Sequence, residues 1–505
     1  MITDLKIVIM KQIIKPKLII AGFSLIMAVA GCRKSAFDIN SVNPNTPSSV
    51  DPKYVLSASL ASSASMVLGG NEDFINYWMG YWAVYGITSS SILTYNITND
   101  YFSDNWDKTY TTLENYHFIE QSSIDPANAY FRAMAKIMKA YHFQRLVDTY
   151  NNVPYTEALS AGNFFPKFDD AGSIYKDLVV QLDSAVIIIG QANVATVNNP
   201  GQYDILFKGQ MNHWVHFAHT LKLKLLMHQT QLADGPAYIT SHLTGLSSAD
   251  FLGGGEDAAV NPGYSNSSQA QQNPQWQDVG FATNGSPSGF NQAYRANSYA
   301  VQFYNSTNDP RDSFFYALND AGLIRGRAFG SSDENQSNTV ISGVGPGILK
   351  SPGMDAVLLP AFESLFIQAE AVQRGYLTGN AGDLFKSGLT ESFRLLGVPD
   401  YVNAARAYYQ QASGKVNIDV SSNPIHTIIL QKWAALNGYD ALEAWSDWRR
   451  LGIPEDLPIS IYPGTTAKHI PYRLLYPTSE YSYNATNIKT QGTINQFSSK
   501  IFWMP

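Results

Sequence analysis

One cysteine in 505 residues, Cys32, closes a basic-then-apolar leader, and its isolation decides what can hold the rest of the chain together. With no second thiol there is no internal disulfide and no thiolate metal cage, so the folded body is expected to be stabilised by its size rather than by cross-links. The leader reads Lys15-Pro16-Lys17, an apolar stretch from Leu18 to Ala30, then Val29-Ala30-Gly31-Cys32. A basic start, a short apolar segment and small residues before a cut site define an export peptide, and this segment is shorter than the ~20 residues of a bilayer-spanning helix. Residues 1–31 therefore read as a bacterial lipoprotein signal peptide, with Cys32 as the acylated first residue of the mature chain. Each buried acyl methylene contributes about 0.8 kcal/mol, so several chains hold a soluble body firmly to a membrane. No later segment reaches the ~18 consecutive apolar residues of a membrane helix, which leaves lipid as the expected attachment.

Residues 32–50, with Asn43-Pro44-Asn45-Thr46-Pro47, are rich in turn formers and read as a tether. The body, residues 51–505, is longer than one ordinary core and predicts either several domains or one large composite fold. Charged residues are only 15% of the chain while aromatic residues reach 13%, a balance that predicts rings at the surface as well as in the core. The net charge of −7, with no basic run after Lys34, excludes nucleic acid as a partner, because phosphate contacts need clustered Lys and Arg.

Helical spacing runs from about Asp51 to Leu68 and from Asp73 to Tyr85. It is clearest between Tyr130 and Tyr150, where Phe131, Met134, Ile137, Met138, Tyr141, Leu146 and Val147 recur mostly at intervals of three and four. Further helices are expected from Ile174, capped by Asp169-Asp170 or Ser173, and from Met211 to about Gln229. Between 233 and 353 glycine and proline clusters interrupt every periodic run, which predicts an irregular insertion between helical segments 51–232 and 354–505. So long an irregular stretch is more often functional than a linker, here with Trp276, Phe290, Tyr294 and Tyr299 embedded in it. Helical spacing returns at 362–374 and 381–396, and a final pair, 426–436 and 441–450, is separated by Asn437-Gly438 and should pack antiparallel. The fold class is mainly α, with helix pairs that resemble tetratricopeptide arrays.

Two segments carry a more specific likeness: Leu146-Val147-Asp148-Thr149-Tyr150-Asn151-Asn152-Val153-Pro154-Tyr155-Thr156-Glu157-Ala158-Leu159, and Gln431-Lys432-Trp433 leading to Glu443-Ala444-Trp445-Ser446-Asp447-Trp448-Arg449-Arg450-Leu451-Gly452-Ile453-Pro454. With Asn43-Pro44-Asn45, Ala369-Glu370-Ala371 and Pro471-Tyr472-Arg473, these resemble the SusD/RagB family of nutrient-binding outer-membrane lipoproteins, in particular the SusD-like, starch-binding subgroup. The chain departs from the family pattern where Asn151-Asn152 replaces the usual Gly-Asp and where Arg33-Lys34-Ser35 follows Cys32 in place of an acidic run. The resemblance implies a SusD-like fold in a lipid-anchored protein of the outer membrane, facing the cell surface. It further implies that the protein captures an oligosaccharide or polysaccharide, performs no catalysis, needs no cofactor, and serves a SusC-like, TonB-dependent transporter as its partner. RagB-type relatives imply peptide uptake as an alternative.

A sugar offers flat, weakly apolar faces ringed by hydroxyls, so a receptor needs aromatic platforms with amide and guanidinium groups at the rim. Loop position and aromatic clustering select Trp82, Tyr85, Trp276, Phe290 and Tyr294 as platforms, with Asn291, Gln292 and Arg295 as polar contacts. Trp78, at helical spacing, is assigned to the core, and the charges of Asp148–Glu157 and Asp447–Arg450 to architecture. His213, His216 and His219 lie three apart, which fans them around a helix and argues against a zinc site. The chain has no HExxH, GxSxG, GxxxxGK[ST] or helix-opening GxGxxG, so the matching enzyme classes lack their minimum parts. Glycoside hydrolysis, which needs only two carboxylates suitably spaced in three dimensions, remains a third reading.

Overall fold

The computed structural model describes residues 50–505 except 71, 87–89, 334, 336 and 338. The signal peptide, Cys32 and nearly all of the tether lie outside the described residues. No helix among the described residues is long and apolar enough to cross a membrane.

Helix α1 (Pro52–Leu68) opens the fold and is followed by the short α2 (Asp73–Trp78) and strand β1 (Trp82–Val84). The helix expected to continue to Tyr85 stops at Trp78. Gly80 adopts φ +70°, and a Cβ there would sit 2.8 Å from the Tyr299 ring, so the chain turns and pairs as a strand. Four long helices follow: α3 (Ser103–Ser122), α4 (Ala129–Tyr150), α5 (Ala171–Gln191) and α6 (Met211–His228). Each packs against its predecessor, and α3 also packs on α1, giving antiparallel pairs. Asp170 caps α5 by accepting the Ser173 amide at 2.8 Å.

From Leu232 onward, short elements replace long helices: α7 (Gly235–Leu243), β2 (Ala258–Val260), α8 (Pro274–Val279), α9 (Gly289–Ala293), β3 (Tyr294–Ala296), α10 (Ser298–Ser306) and β4 (Ala356–Leu359). The strands pair antiparallel, β1 with β3 and β2 with β4. Helical pairing resumes with α11 (Ala361–Gln373), α12 (Ala381–Leu396), α13 (Tyr401–Tyr409), α14 (Pro424–Leu436) and α15 (Ala441–Leu451). Gly438 takes φ +73° between α14 and α15, the helix stop that Asn437-Gly438 signals in the sequence.

The core is apolar at its periphery and ionic at its centre. Arg145 pairs with Glu72 and with Asp440 at 3.3 Å, and Lys224 lies 2.9 Å from both Glu363 and Glu443. Lys432 joins Glu443 to Asp447, while Arg450 bridges Glu370 and Asp447, each at 2.6 Å. His228 stands between Glu443 at 3.1 Å and Asp148 at 3.4 Å. Burial alone would lower its pKa, but Glu443 and Asp148 outweigh that and raise it to about 9, so the ring is a cation at neutral pH. Buried charges persist only when paired and hydrogen-bonded, and this network clamps α4, α6, α11, α14 and α15 together.

The two family-like segments meet in this network. Arg449 donates to the Asp148 carbonyl at 2.5 Å and lies 3.7 Å over the Trp445 ring, while Asp148 accepts the Trp503 indole N–H at 2.9 Å. Their charges are scaffold, as the sequence reading has it. Asn151 takes φ +66°, a backbone state that glycine occupies more easily, and its carboxamide oxygen accepts the Phe502 amide at 2.8 Å. That conformation accounts for glycine in the family pattern and shows asparagine holding it through a side-chain bond.

Candidate functional site

The loop-rich region converges on the β1–β3 pair. Trp82 faces Ala296, Ala83 faces Arg295 and Val84 faces Tyr294, and the Tyr85 amide extends the ladder to the Ala293 carbonyl at 2.8 Å. Asn297 pins the pair by donating to the Trp82 carbonyl at 3.1 Å. Alternation across the strands puts Trp82 and Tyr294 on one face, with ring centroids 5.3 Å apart, and Arg295 on the other.

Two of the expected platforms are therefore core. Trp82 is 1% exposed and Tyr294 4% exposed, so neither ring offers a free face to a sugar. The cause is the strand pair, which turns the side chains of Trp82 and Tyr294 to its buried face. Trp78 is core as expected, packed 5.2 Å from the Trp445 ring.

Phe290 is the ring left at the surface, 42% exposed, stacked on Tyr294 at 5.0 Å and 28°. Ser288 caps its helix α9 by accepting the Asn291 amide at 3.0 Å, and its own hydroxyl donates to the Asp278 carbonyl at 2.7 Å, tying α9 to α8. Gln292 is exposed and Asn291 half-buried beside Phe290. Tyr85 is half-buried, with the Arg327 guanidinium 5.3 Å over its ring. Trp276, on α8, is half-buried against Phe281 at 5.6 Å, and its indole N–H donates to the Phe281 carbonyl at 3.0 Å, which fixes the ring orientation. The fold thus places Tyr85 and Arg295 at the β1–β3 pair and Phe290, Asn291 and Gln292 on α9, which leads into β3, with Trp276 on the adjoining helix α8.

Arg295 is 6% exposed and donates from Nε and Nη2 to the carbonyls of Asn291 and Gln292, at 2.5 to 3.1 Å. Burial first, and the charge of Arg327 second, lower its pKa to about 10. Near Tyr294, burial first and the charge of Asp278 second push the Asp73 carboxyl well above the usual carboxylate range. Arg327 was not selected from the sequence. A signal for it exists in Arg325-Gly326-Arg327, since Gly326 lets the backbone pass where a Cβ would meet the Ser298 amide at 2.4 Å.

The larger concavities lie elsewhere. One of about 330 Å³ is lined by Asp257, Gln275, Lys350, Asp355 and Tyr439, and one of about 260 Å³ by Glu120, Lys139, Phe143, Tyr155 and Asp177. A groove of about 360 Å³ runs between α1 and α3 beside Met66 and Lys108. None of the three includes Phe290 or Trp276. An open ring with amides at its edge suits a long polymer, so the surface at Phe290 is the stronger candidate. His213 and His216 both contact Glu256, at 3.3 and 3.0 Å, and no group of three metal-binding side chains able to hold an ion occurs among the described residues.

The architecture and this surface can be set beside known proteins. The family described as starch-binding and associating with the outer membrane, of SusD-like type, matches residues 44–477. The chain belongs to that SusD-like family. Solved structures agree across almost the whole fold. A chitin-binding SusD homologue from Flavobacterium johnsoniae has a TM-score of 0.74 at 21% identity, covering 89% of this chain and 98% of its own. A SusD homologue from Bacteroides uniformis gives 0.74 at 22%, covering 90% and 99%. A SusD/RagB family protein from Bacteroides thetaiotaomicron gives 0.70 at 18%, covering 90% and 99%. At such identities the likeness establishes the fold, which is the mainly α SusD-like fold expected from the sequence. No match was found among curated proteins.

Proposed function

We propose that this SusD-like protein is a non-catalytic, lipid-anchored receptor of the outer membrane that captures an oligosaccharide or polysaccharide and passes it to a SusC-like, TonB-dependent transporter. The observation that carries the reading is Phe290, a 42% exposed ring backed by Tyr294 and bordered by Asn291 and Gln292. The ring supplies a stacking face and the amides supply donors and acceptors for hydroxyls. The family description and the chitin-binding relative support a glycan as cargo.

Titration of the purified protein against starch, chitin and xylan oligosaccharides tests the reading. Phe290→Ala should weaken binding about tenfold, since one sugar–aromatic contact is worth roughly 1 kcal/mol or somewhat more. Equal affinity in the variant, or product formation from any oligosaccharide, would overturn it.

A further inference from the structure

Arg295 is the one strongly basic group of the candidate surface whose charge is not met by a carboxylate. It makes no ion pair within 4.0 Å among the described residues, and its three hydrogen bonds all go to neutral carbonyls of Asn291 and Gln292. The charge that acts on it most is another cation, Arg327, whereas Arg327 itself feels the compensating charge of Asp333. Three other buried arginines are answered by carboxylates: Arg145 by Glu72 and Asp440, Arg311 by Asp309, Arg450 by Glu370 and Asp447. Arg449 and Arg473 form no ion pair among the described residues either, but Arg449 is enclosed between the Trp445 and Trp503 rings, and Arg473 donates to the carbonyls of Tyr150 and Leu474 beside the Tyr476 ring, away from the candidate surface.

The third nitrogen of Arg295, Nη1, has no hydrogen-bond partner among the described residues, and it is not one of the polar atoms sealed from solvent. It lies against Gly343, where a Cβ would approach it to 3.1 Å, so the absence of a side chain at 343 leaves the nitrogen uncovered. The carbonyls that hold the guanidinium belong to the residues directly after Phe290, so the free donor and the exposed ring share one short segment. A guanidinium oriented in this way, in a chain of net charge −7, is a local exception to the charge of the molecule. Such a donor gains most from an ionised acceptor, and its planar fork matches a carboxylate.

We infer that the glycan taken by this surface carries a carboxylate, as a uronic acid does, and that Arg295 is the specificity residue that reads it through Nη1. The inference rests on the glycan-binding reading above and sharpens it from neutral to acidic polymers. Phe290 stacks on the apolar face of one sugar, and a carboxylate further along the same polymer reaches the guanidinium, which starts from the opposite face of the strand pair.

The test is a binding panel of uronate-containing oligosaccharides, each paired with its carboxyl-reduced, neutral counterpart, titrated against the purified wild-type protein. At least one acidic member should bind about tenfold more tightly than its reduced form, because a charge-assisted bond is worth about twice a neutral one. Arg295→Met should bring the two to parity, and Gly343→Ala, which crowds Nη1, should reduce the ratio. Equal affinity for acidic and reduced forms in the wild type overturns this inference and leaves glycan capture standing. Binding of no glycan in the panel overturns both. The wild-type comparison needs no variant, so a misfolded Arg295→Met does not blunt the test.

Discussion

Replacing Arg450 with methionine probes whether the ionic centre is what holds the helical scaffold. Arg450 is 1% exposed and spans Glu370 with two parallel bonds of 2.6 and 2.8 Å, reaches Asp447 at 2.6 Å, and also donates to the Met227 carbonyl and the Thr230 hydroxyl. Methionine preserves much of the volume but leaves Glu370 with only Arg374 at 2.7 Å and Asp447 with only Lys432 at 3.0 Å. Breaking a buried pair by removing one partner costs about 3–5 kcal/mol. A body of roughly 450 residues has an unfolding entropy near 1 kcal/mol/K, at about 2.1 cal/mol/K per residue, so Tm should fall by about 3–5 °C at pH 7. Differential scanning calorimetry reads this directly. Arg450 is also what holds Glu370 down: burial would raise that carboxyl, but the guanidinium wins and sets it at about 2. The wild-type contribution is therefore complete above about pH 4.5 and fades as pH falls toward 2, so the gap between the proteins should narrow in that window. Adding Glu370→Gln to the variant should recover part of the loss. A Tm within 1 °C of wild type at pH 7 would refute the argument that these charges clamp the helices.

Two further outcomes follow from the same physics. His228, with a folded pKa of about 9 against 6.5 in the unfolded chain, contributes stability that is fully present below pH 6.5 and lost as pH rises through 9; the shift corresponds to about 3 kcal/mol, so the gap between wild type and His228→Gln in urea unfolding should shrink between pH 6.5 and 10. Gly330 takes φ +81° with its Cβ direction 2.0 Å from the Ser460 hydroxyl and 2.6 Å from the Tyr462 amide, so Gly330→Ala should cost at least about 2 kcal/mol in the same assay.

How much of this was legible beforehand depends on the local signal. Periodic apolar residues located α1, α4, α6, α11, α12, α14 and α15 within a few residues, because a stripe at intervals of three and four has few other uses. Helix α3 escaped because its buried stripe runs through Asn105, Thr109 and Thr112 as well as Trp106, Leu113, Tyr116 and Ile119, so polarity hid the period. Trp82 was misread as a platform because aromatic clustering set it beside Tyr85, whereas the turn at Gly80, against the Tyr299 ring, pairs it as a strand with its side chain buried. At the candidate site the rings of the segment Phe290–Arg295 were expected at the surface together, but β pairing sends Tyr294 inward and leaves Phe290 out. The ionic core was invisible, since Lys224, Glu363 and Asp440 come together only through tertiary packing. Cys32 and the tether, which carry the lipid-anchor reading, belong to the sequence alone.

The claim on which the functional account turns is that cargo lies on the open surface at Phe290. A crystal structure of the protein with the tightest-binding oligosaccharide of the panel measures it directly. The account predicts a sugar face about 4 Å from the Phe290 ring, with Asn291 or Gln292 bonded to its hydroxyls. Density for the sugar in the hollow beside Asp257 and Lys350, or against Lys139 and Tyr155, with Phe290 bare, would contradict it.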